Sequence, residues 1–146
     1  MFSNDLEEWR NKEKEFAKYL LDKRIANIEF APDKKFTDWD LKRTKNWDVK
    51  TYEIKFDKKA EETWNLAIEY RFNWKPSWMF KSKADYIVYS VYGKRYIENR
   101  AELLLKILEN YQLWLIQKKE WWDLNSSSLY IIPLKYIDKI FSFKSE

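Results

Sequence analysis

Between Asp5 and Asp22, Phe16, Ala17 and Leu20 recur at helical spacing while Lys and Glu fill most other positions. The pattern predicts an amphipathic helix. Glu13 falls at the edge of the predicted buried stripe, one turn before Phe16, whereas Glu7, Glu8 and Lys14 point to water. Ile25 to Phe30 predicts a short extended piece that Pro32-Asp33 ends. Phe36 to Lys42 and Val49 to Phe56 predict paired strands joined by the polar turn Thr44 to Asp48. In the second strand Val49, Thr51, Glu53 and Lys55 alternate with Lys50, Tyr52, Ile54 and Phe56, so Glu53 and Lys55 share a face.

Asp57 to Asn65 is polar and turn-rich, with room for one helical turn. Leu66 to Phe72 alternates as a strand, Asn73 to Trp78 turns the chain, and Asp85 to Tyr92, rich in Tyr, Ile and Val, predicts another strand. Ile97 to Asn110 returns to the helical period, with Ala101, Leu104, Leu105 and Leu108 on one stripe. Leu113 to Gln117 and Leu129 to Leu134 predict short strands around a loop from Lys118 to Ser128, and Tyr136 to Phe143 predicts a closing helix. No repeat, linker or low-complexity tract interrupts this order. The expectation is an α/β or α+β fold, residues 1–146 forming a single domain with a central mixed β-sheet flanked by helices.

Composition narrows the chemistry. The chain of 146 residues is 45% hydrophobic and 36% charged, which places it among folding sequences. It has no Cys and no His, which excludes thiolate zinc sites, thiol nucleophiles, Ser-His chemistry and imidazole ligands. Catalysis would rest on carboxylates, Lys, Tyr or Ser. No apolar run approaches the roughly 20 residues that span a bilayer, and Met1 to Arg10 is too polar for a secretory signal, so no membrane partner and a cytoplasmic location are expected. A net charge of +4 and a pI near 9.0 favour a polyanionic partner.

The chain contains one Gly and nine Trp. Asn46-Trp47-Asp48, Asn73-Trp74-Lys75 and Trp121-Trp122-Asp123 are polar, turn-like settings in which Gly would normally supply a positive φ. Trp therefore stands at sites whose backbone wants Gly, as in an altered or misrecorded sequence. An intact mass that agrees with 18.2 kDa would overturn the misrecorded version.

The stretch Phe36-Thr37-Asp38-Trp39-Asp40-Leu41, followed after a turn by Tyr52-Glu53-Ile54-Lys55, concentrates the candidate chemistry. Antiparallel pairing across that turn can bring Asp40 or Asp38 close to Glu53, and oxygen donors of this kind suit Mg²⁺ or Mn²⁺. The backbone carbonyl of Ile54 offers a further ligand. Lys55 projects from the Glu53 face, where an ammonium can orient an attacking water and offset phosphate charge. The plain alternative is a solvated strand face with an ion pair.

Further along, Thr63-Trp64-Asn65-Leu66-Ala67-Ile68-Glu69, Lys75-Pro76-Ser77-Trp78 and Ser82-Lys83-Ala84-Asp85-Tyr86 follow in order. They resemble the T-G-N-x-A-I-E, G-K-P-S-G and T-K-A-D-Y blocks behind the catalytic strand of phage-type endonucleases of the PD-(D/E)xK superfamily, which also holds Holliday-junction-resolvase-like enzymes. The resemblance spans Phe36 to Tyr92, with Leu129 to Leu134 similar to the closing strand. Trp47, Trp64, Trp74 and Trp78 stand where that pattern favours Gly.

The resemblance implies a restriction-endonuclease-like core, a phage or prokaryotic origin, and Mg²⁺- or Mn²⁺-dependent hydrolysis of DNA by Asp40, Glu53 and Lys55. It also implies a further metal-binding Glu after a Gly-x-x-x-Glu pattern in the first helix. Trp9 to Glu13 has that spacing, which makes Glu13 the candidate ahead of Glu15. Glu69 reads first as a solvated strand residue and second as a ligand. Asn65 and Ser77 read first as turn-forming, and Lys75, Ser77, Lys81 and Lys83 are the candidate DNA contacts. A homodimer would suit a duplex with two strands to cut. The alternatives are a non-catalytic nucleic-acid-binding or phage accessory protein of the same fold, and a structural domain whose Trp residues form an interface.

Overall fold

The computed structural model describes residues 2–22, 27–32, 38–121 and 127–145. Helix α1 (Phe2–Asp22) precedes strands β1 (Asn27–Phe30), β2 (Leu41–Lys45) and β3 (Asp48–Phe56). A single helical turn, α2 (Ala60–Thr63), leads into β4 (Asn65–Phe72) and the short β5 (Lys75–Pro76). Then come α3 (Trp78–Lys81), β6 (Tyr86–Val91), β7 (Lys94–Asn99) and helix α4 (Arg100–Gln112). The chain closes with β8 (Gln117–Trp121), β9 (Ser127–Pro133), a 3₁₀ turn (Leu134–Tyr136), α5 (Ile137–Ile140) and β10 (Phe143–Ser145).

The architecture is mixed α+β, as expected, but with two sheets in place of one. The larger has the order β1-β2-β3-β6-β7-β10 and is antiparallel except where β3 runs parallel to β6. The smaller has the order β5-β4-β9-β8 and is antiparallel. Alternation along β6 sets the layering. Val88 packs with Tyr52 and Ile54 beneath Phe16, Ala17 and Leu20 of α1. Ile87, Tyr89 and Val91 face the other way, into a core shared with Leu66, Ile68 and Ile132 of the smaller sheet and Leu103 and Ile107 of α4. Helix α1 thus covers one face of the large sheet, and the smaller sheet and α4 contribute to the core on the other.

Several boundaries differ from the sequence expectation. The strand expected from Phe36 begins at Leu41, so Asp40 precedes it; Ile25, Phe36 and Thr37 lie outside the described residues, as do residues 122–126 of the expected loop. The strand expected over Leu113 to Gln117 is displaced, because β8 pairs with β9 only from Gln117 and runs to Trp121 through residues expected as loop. The closing helix expected over Tyr136 to Phe143 is reduced to α5, with Phe143 in β10 beside Ile97. Strands β5, β7 and β10 and helix α3 were not expected. Helix α4 starts at Arg100, where the Asn99 side chain caps it by accepting the N–H groups of Ala101 (3.0 Å) and Glu102 (3.2 Å). Its buried stripe is Leu103, Ile107 and Asn110, not the expected Ala101, Leu104, Leu105 and Leu108. Leu105 and Leu108 are exposed and Leu104 is only partly buried.

The Trp expectation meets a direct geometric observation. Trp64, Trp74 and Trp114 have φ of 60°, 65° and 63°, and Asn73 precedes Trp74 at 49°. Trp47 follows Asn46 (φ 56°) without a positive φ of its own. The single glycine, Gly93 at φ 70°, sits beside Tyr92 in the turn that joins β6 to β7.

Candidate functional site

Strand β3 carries the central residues, and the end of β2 leaves its edge uncovered. The Asp40 N–H donates to the Tyr52 carbonyl at 2.9 Å, next to the last ladder pair, Leu41 with Tyr52. Beyond this point Asp40 Oδ2 accepts the N–H of Ile54 at 2.7 Å. The N–H and C=O of one strand residue point to the same side. The Ile54 carbonyl therefore lies on the edge that Asp40 occupies.

Glu53 is 6% exposed. Its Oε1 pairs with Lys55 Nζ at 2.8 Å, and its Oε2 accepts the Ser82 hydroxyl at 3.1 Å. The Lys55 ammonium also sits 5.1 Å from the centre of the Trp9 ring, on α1. The same helix brings Glu13 into the electrostatic field of Asp40, Glu53 and Lys55. Glu15 points elsewhere, pairing with Lys12 at 3.4 Å.

Electrostatics bind the acidic groups into one cluster. Burial raises the Glu13 carboxyl to about 7, helped by the charges of Asp40 and Glu53 and opposed by Arg10 and Lys55. Burial likewise raises Asp40 to about 6; Glu53 adds to this, and the Ile54 hydrogen bond and Lys55 oppose it. Near neutral pH the cluster therefore binds protons or welcomes a cation.

A stability prediction follows for metal-free protein. A carboxyl raised on folding stabilises the fold fully below its unfolded value, near 4.5 for Glu13, and that contribution is lost as pH rises through about 7. The melting temperature of Glu13→Gln minus that of the parent should therefore increase between pH 5 and pH 8, by roughly 2 °C or more. A difference that is flat with pH, in melts recorded in EDTA, would remove Glu13 from the cluster.

A cavity of about 530 Å³ is lined by Asp40, Glu53 and Lys55 together with Glu69, Ser77, Lys75 and Lys81. Glu69 is half-exposed on the open face of β4, as the reading of a solvated strand residue expects, but it also lines this cavity. Its carboxylate accepts the hydroxyls of Ser77 and, at 3.2 Å, Ser127, which hold it at the cavity. Ser77 is itself buried. The structure does not bring Asp38 to the cavity: its carboxylate lies 3.9 Å from Lys83, whose side chain is largely exposed. Asn65 also lies outside it, and its amide donates to the Thr63 carbonyl at 2.9 Å, as a turn-forming residue would. Among the described residues no three carboxylates converge on one ion position. Asp40, Glu53 and the Ile54 carbonyl are nevertheless the kind of oxygen set that Mg²⁺ accepts, since it commonly uses one or two carboxylates and keeps several waters.

Sequence reasoning passed over Ser82 and Trp9. Ser82 sits in the Ser82 to Tyr86 block that carries part of the resemblance, but an uncharged hydroxyl gave no reason to single it out. Trp9 was noted only for its spacing from Glu13. No family model, curated protein or solved structure matches the chain. No helix among the described residues is long and apolar enough to cross a membrane.

Proposed function

We propose that the chain is a divalent-metal-dependent nuclease that hydrolyses DNA phosphodiesters at the Asp40, Glu53 and Lys55 cluster. The observation that supports this most is the meeting of the buried Glu53 carboxylate, the half-buried Asp40 carboxylate and an ammonium at the uncovered edge of β3. Asp40, Glu53 and the Ile54 carbonyl would hold Mg²⁺ or Mn²⁺, with Glu13, which feels the charges of both carboxylates, joining through water. When bound, such an ion supplies Lewis-acid polarisation of the phosphate and lowers the pKa of water.

The protein's own groups do the rest. The Ile54 N–H fixes Asp40, and Ser82 fixes Glu53, so neither carboxylate must reorganise. Lys55 lines the cavity beside Glu53, where its ammonium can orient a water and offset the charge that builds on the phosphate. Lys75 and Lys81 line the same cavity and would attract the DNA backbone.

Linear, supercoiled, single-stranded and four-way-junction DNA incubated with Mg²⁺, Mn²⁺ or EDTA test this reading. Cleavage that EDTA abolishes is expected. A salt-sensitive mobility shift without cleavage would point to a binding protein, and neither result to a partner-binding domain. Mg²⁺ should also raise the melting temperature of the parent by more than it raises that of Glu13→Gln, because the ion relieves repulsion among the three carboxylates. Identical shifts would remove Glu13 from the metal site.

A further inference from the structure

The smaller sheet has one face buried and one open. Leu66, Ile68, Tyr130 and Ile132 enter the core. The residues between them line a second cavity of about 710 Å³, within the roughly 300–1,000 Å³ of small-ligand sites. Its floor is apolar, made by Ala67, Leu129 and Ile131, and Lys59 and Lys119 bring positive charge to it. Asp57, which also lines it, is tied into the backbone by accepting the N–H groups of Lys59 (3.1 Å), Ala60 (3.2 Å) and Ala67 (3.0 Å). Glu69 lines both this cavity and the one that holds Asp40, Glu53 and Lys55, so the two meet at its carboxylate.

We propose that this second cavity binds an unpaired stretch of the DNA strand next to the phosphate to be cut, so that the substrate is forked or single-stranded DNA. The inference rests on the nuclease reading for the identity of the strand. An aliphatic floor beside lysines offers the two surfaces of an unpaired nucleotide what they need, cover from water for a base face and a cation for the phosphate. A blunt duplex keeps its base faces stacked inside and offers such a floor nothing to cover. The volume is that of a site for one small ligand, room enough for a nucleotide, and Glu69, which lines both cavities, sets it beside the candidate site.

The test uses fluorescence anisotropy in EDTA with a labelled blunt duplex and a labelled forked duplex carrying unpaired arms. Parent, Lys119→Ala and Ala67→Phe are compared. The parent should bind the forked DNA about tenfold more tightly than the blunt duplex. That ratio should fall towards one in both variants, by loss of a cation in the first and by a filled floor in the second. Lys119 is exposed, so its variant keeps the test valid if Ala67→Phe fails to fold. Equal affinity of the parent for the two DNAs, or an unchanged ratio in Lys119→Ala, overturns the proposal. Cleavage of both DNAs alike in Mg²⁺, without a forked preference, would leave the nuclease reading standing and remove this one. A forked preference lost in the variants, with no cleavage of either DNA, would overturn the nuclease reading and leave only the cavity's binding of unpaired DNA.

Discussion

Lys55→Ala is expected to cut DNA in Mg²⁺ roughly 10²–10⁴-fold more slowly than the parent, the usual worth of a positioned proton-transfer or charge-stabilising group. The geometry makes the expectation specific. The ammonium is 2.8 Å from a carboxylate of the cluster, and its side chain is only 13% exposed, so bulk water cannot substitute for it. The same burial complicates the simple variant. Removing Lys55 leaves Glu53 buried with the Ser82 hydroxyl as its remaining hydrogen-bond partner among those described above. Breaking a buried pair from one side costs about 3–5 kcal/mol, less where a cation can take the place of the ammonium. Glu53→Gln/Lys55→Met removes both charges while nearly keeping the volume, so it should fold with a parent-like far-UV circular dichroism spectrum and still fail to cut. Initial cleavage rates of the three proteins decide the matter. Lys55→Ala cutting as fast as the parent would show that the catalytic centre lies elsewhere.

The part of the site legible in the sequence was the part written in one strand. Period-two alternation places Glu53 and Lys55 on one face whatever lies around them, and the structure joins them in an ion pair. Spacing left Asp40 and Asp38 both open and the resemblance favoured Asp40; the end of the β2 ladder supplies the physical reason. Only there does a side chain turn back to reach the Ile54 N–H, while Asp38 is drawn towards Lys83. Alternation put Glu69 on the open face of its strand but did not show what holds it there. Ser77 and Ser127, eight and fifty-eight residues away, supply its partners. The layering of the fold shows the same limit. Alternation in Leu66 to Phe72 and Leu129 to Leu134 predicted strands correctly, but nothing local says that they leave the first sheet to build a second.

Helix α4 failed in phase rather than in kind. Leu103-Leu104-Leu105 offers two overlapping apolar stripes, and periodicity does not choose between them. The phase is set by the Asn99 cap and by β7, which claims Ile97 and Glu98 as partners of Val88 and Ile87. Glu98 then takes an ion pair with Lys106 and accepts the Ser142 N–H at 3.0 Å, which ties helix, strand and carboxy-terminal segment together. A long-range polar clasp of this kind leaves no trace in a local pattern.

Replacing Trp64, Trp74 and Trp114 together by Gly should raise the melting temperature by roughly 3–6 °C. All three hold a left-handed φ, which costs an L-residue about 1–2 kcal/mol and is a marked outlier for one this bulky. Each occupies a motif that normally uses Gly. Trp114 follows the last turn of α4, where its N–H donates to the Tyr111 carbonyl at 3.1 Å and the Leu115 N–H donates to the Asn110 carbonyl at 3.0 Å. These are the paired bonds of a Schellman cap with Trp in the glycine place. Asn73-Trp74 joins β4 to β5 with positive φ at both residues, the two-residue hairpin turn in which Asn-Gly is preferred. Trp64 caps α2, and its N–H donates to the Ala60 carbonyl at 2.9 Å. Gly relieves the strain but loosens the unfolded chain, an offset of roughly 0.5–1 kcal/mol per site. Ring contacts are lost as well: Trp64 lies 5.7 Å from Tyr92, and Arg71 stacks 5.1 Å over Trp74. Trp114 is 91% exposed and has least to lose, so it should contribute the largest single gain. The net is about 0.5 kcal/mol per site, and roughly 2–4 °C per kcal/mol for a chain of this size gives the expected shift. Thermal melts of the parent, the three single variants and the triple variant provide the check. A triple variant that melts at or below the parent would mean that the ring contacts outweigh the backbone strain, and that these turns accommodate Trp.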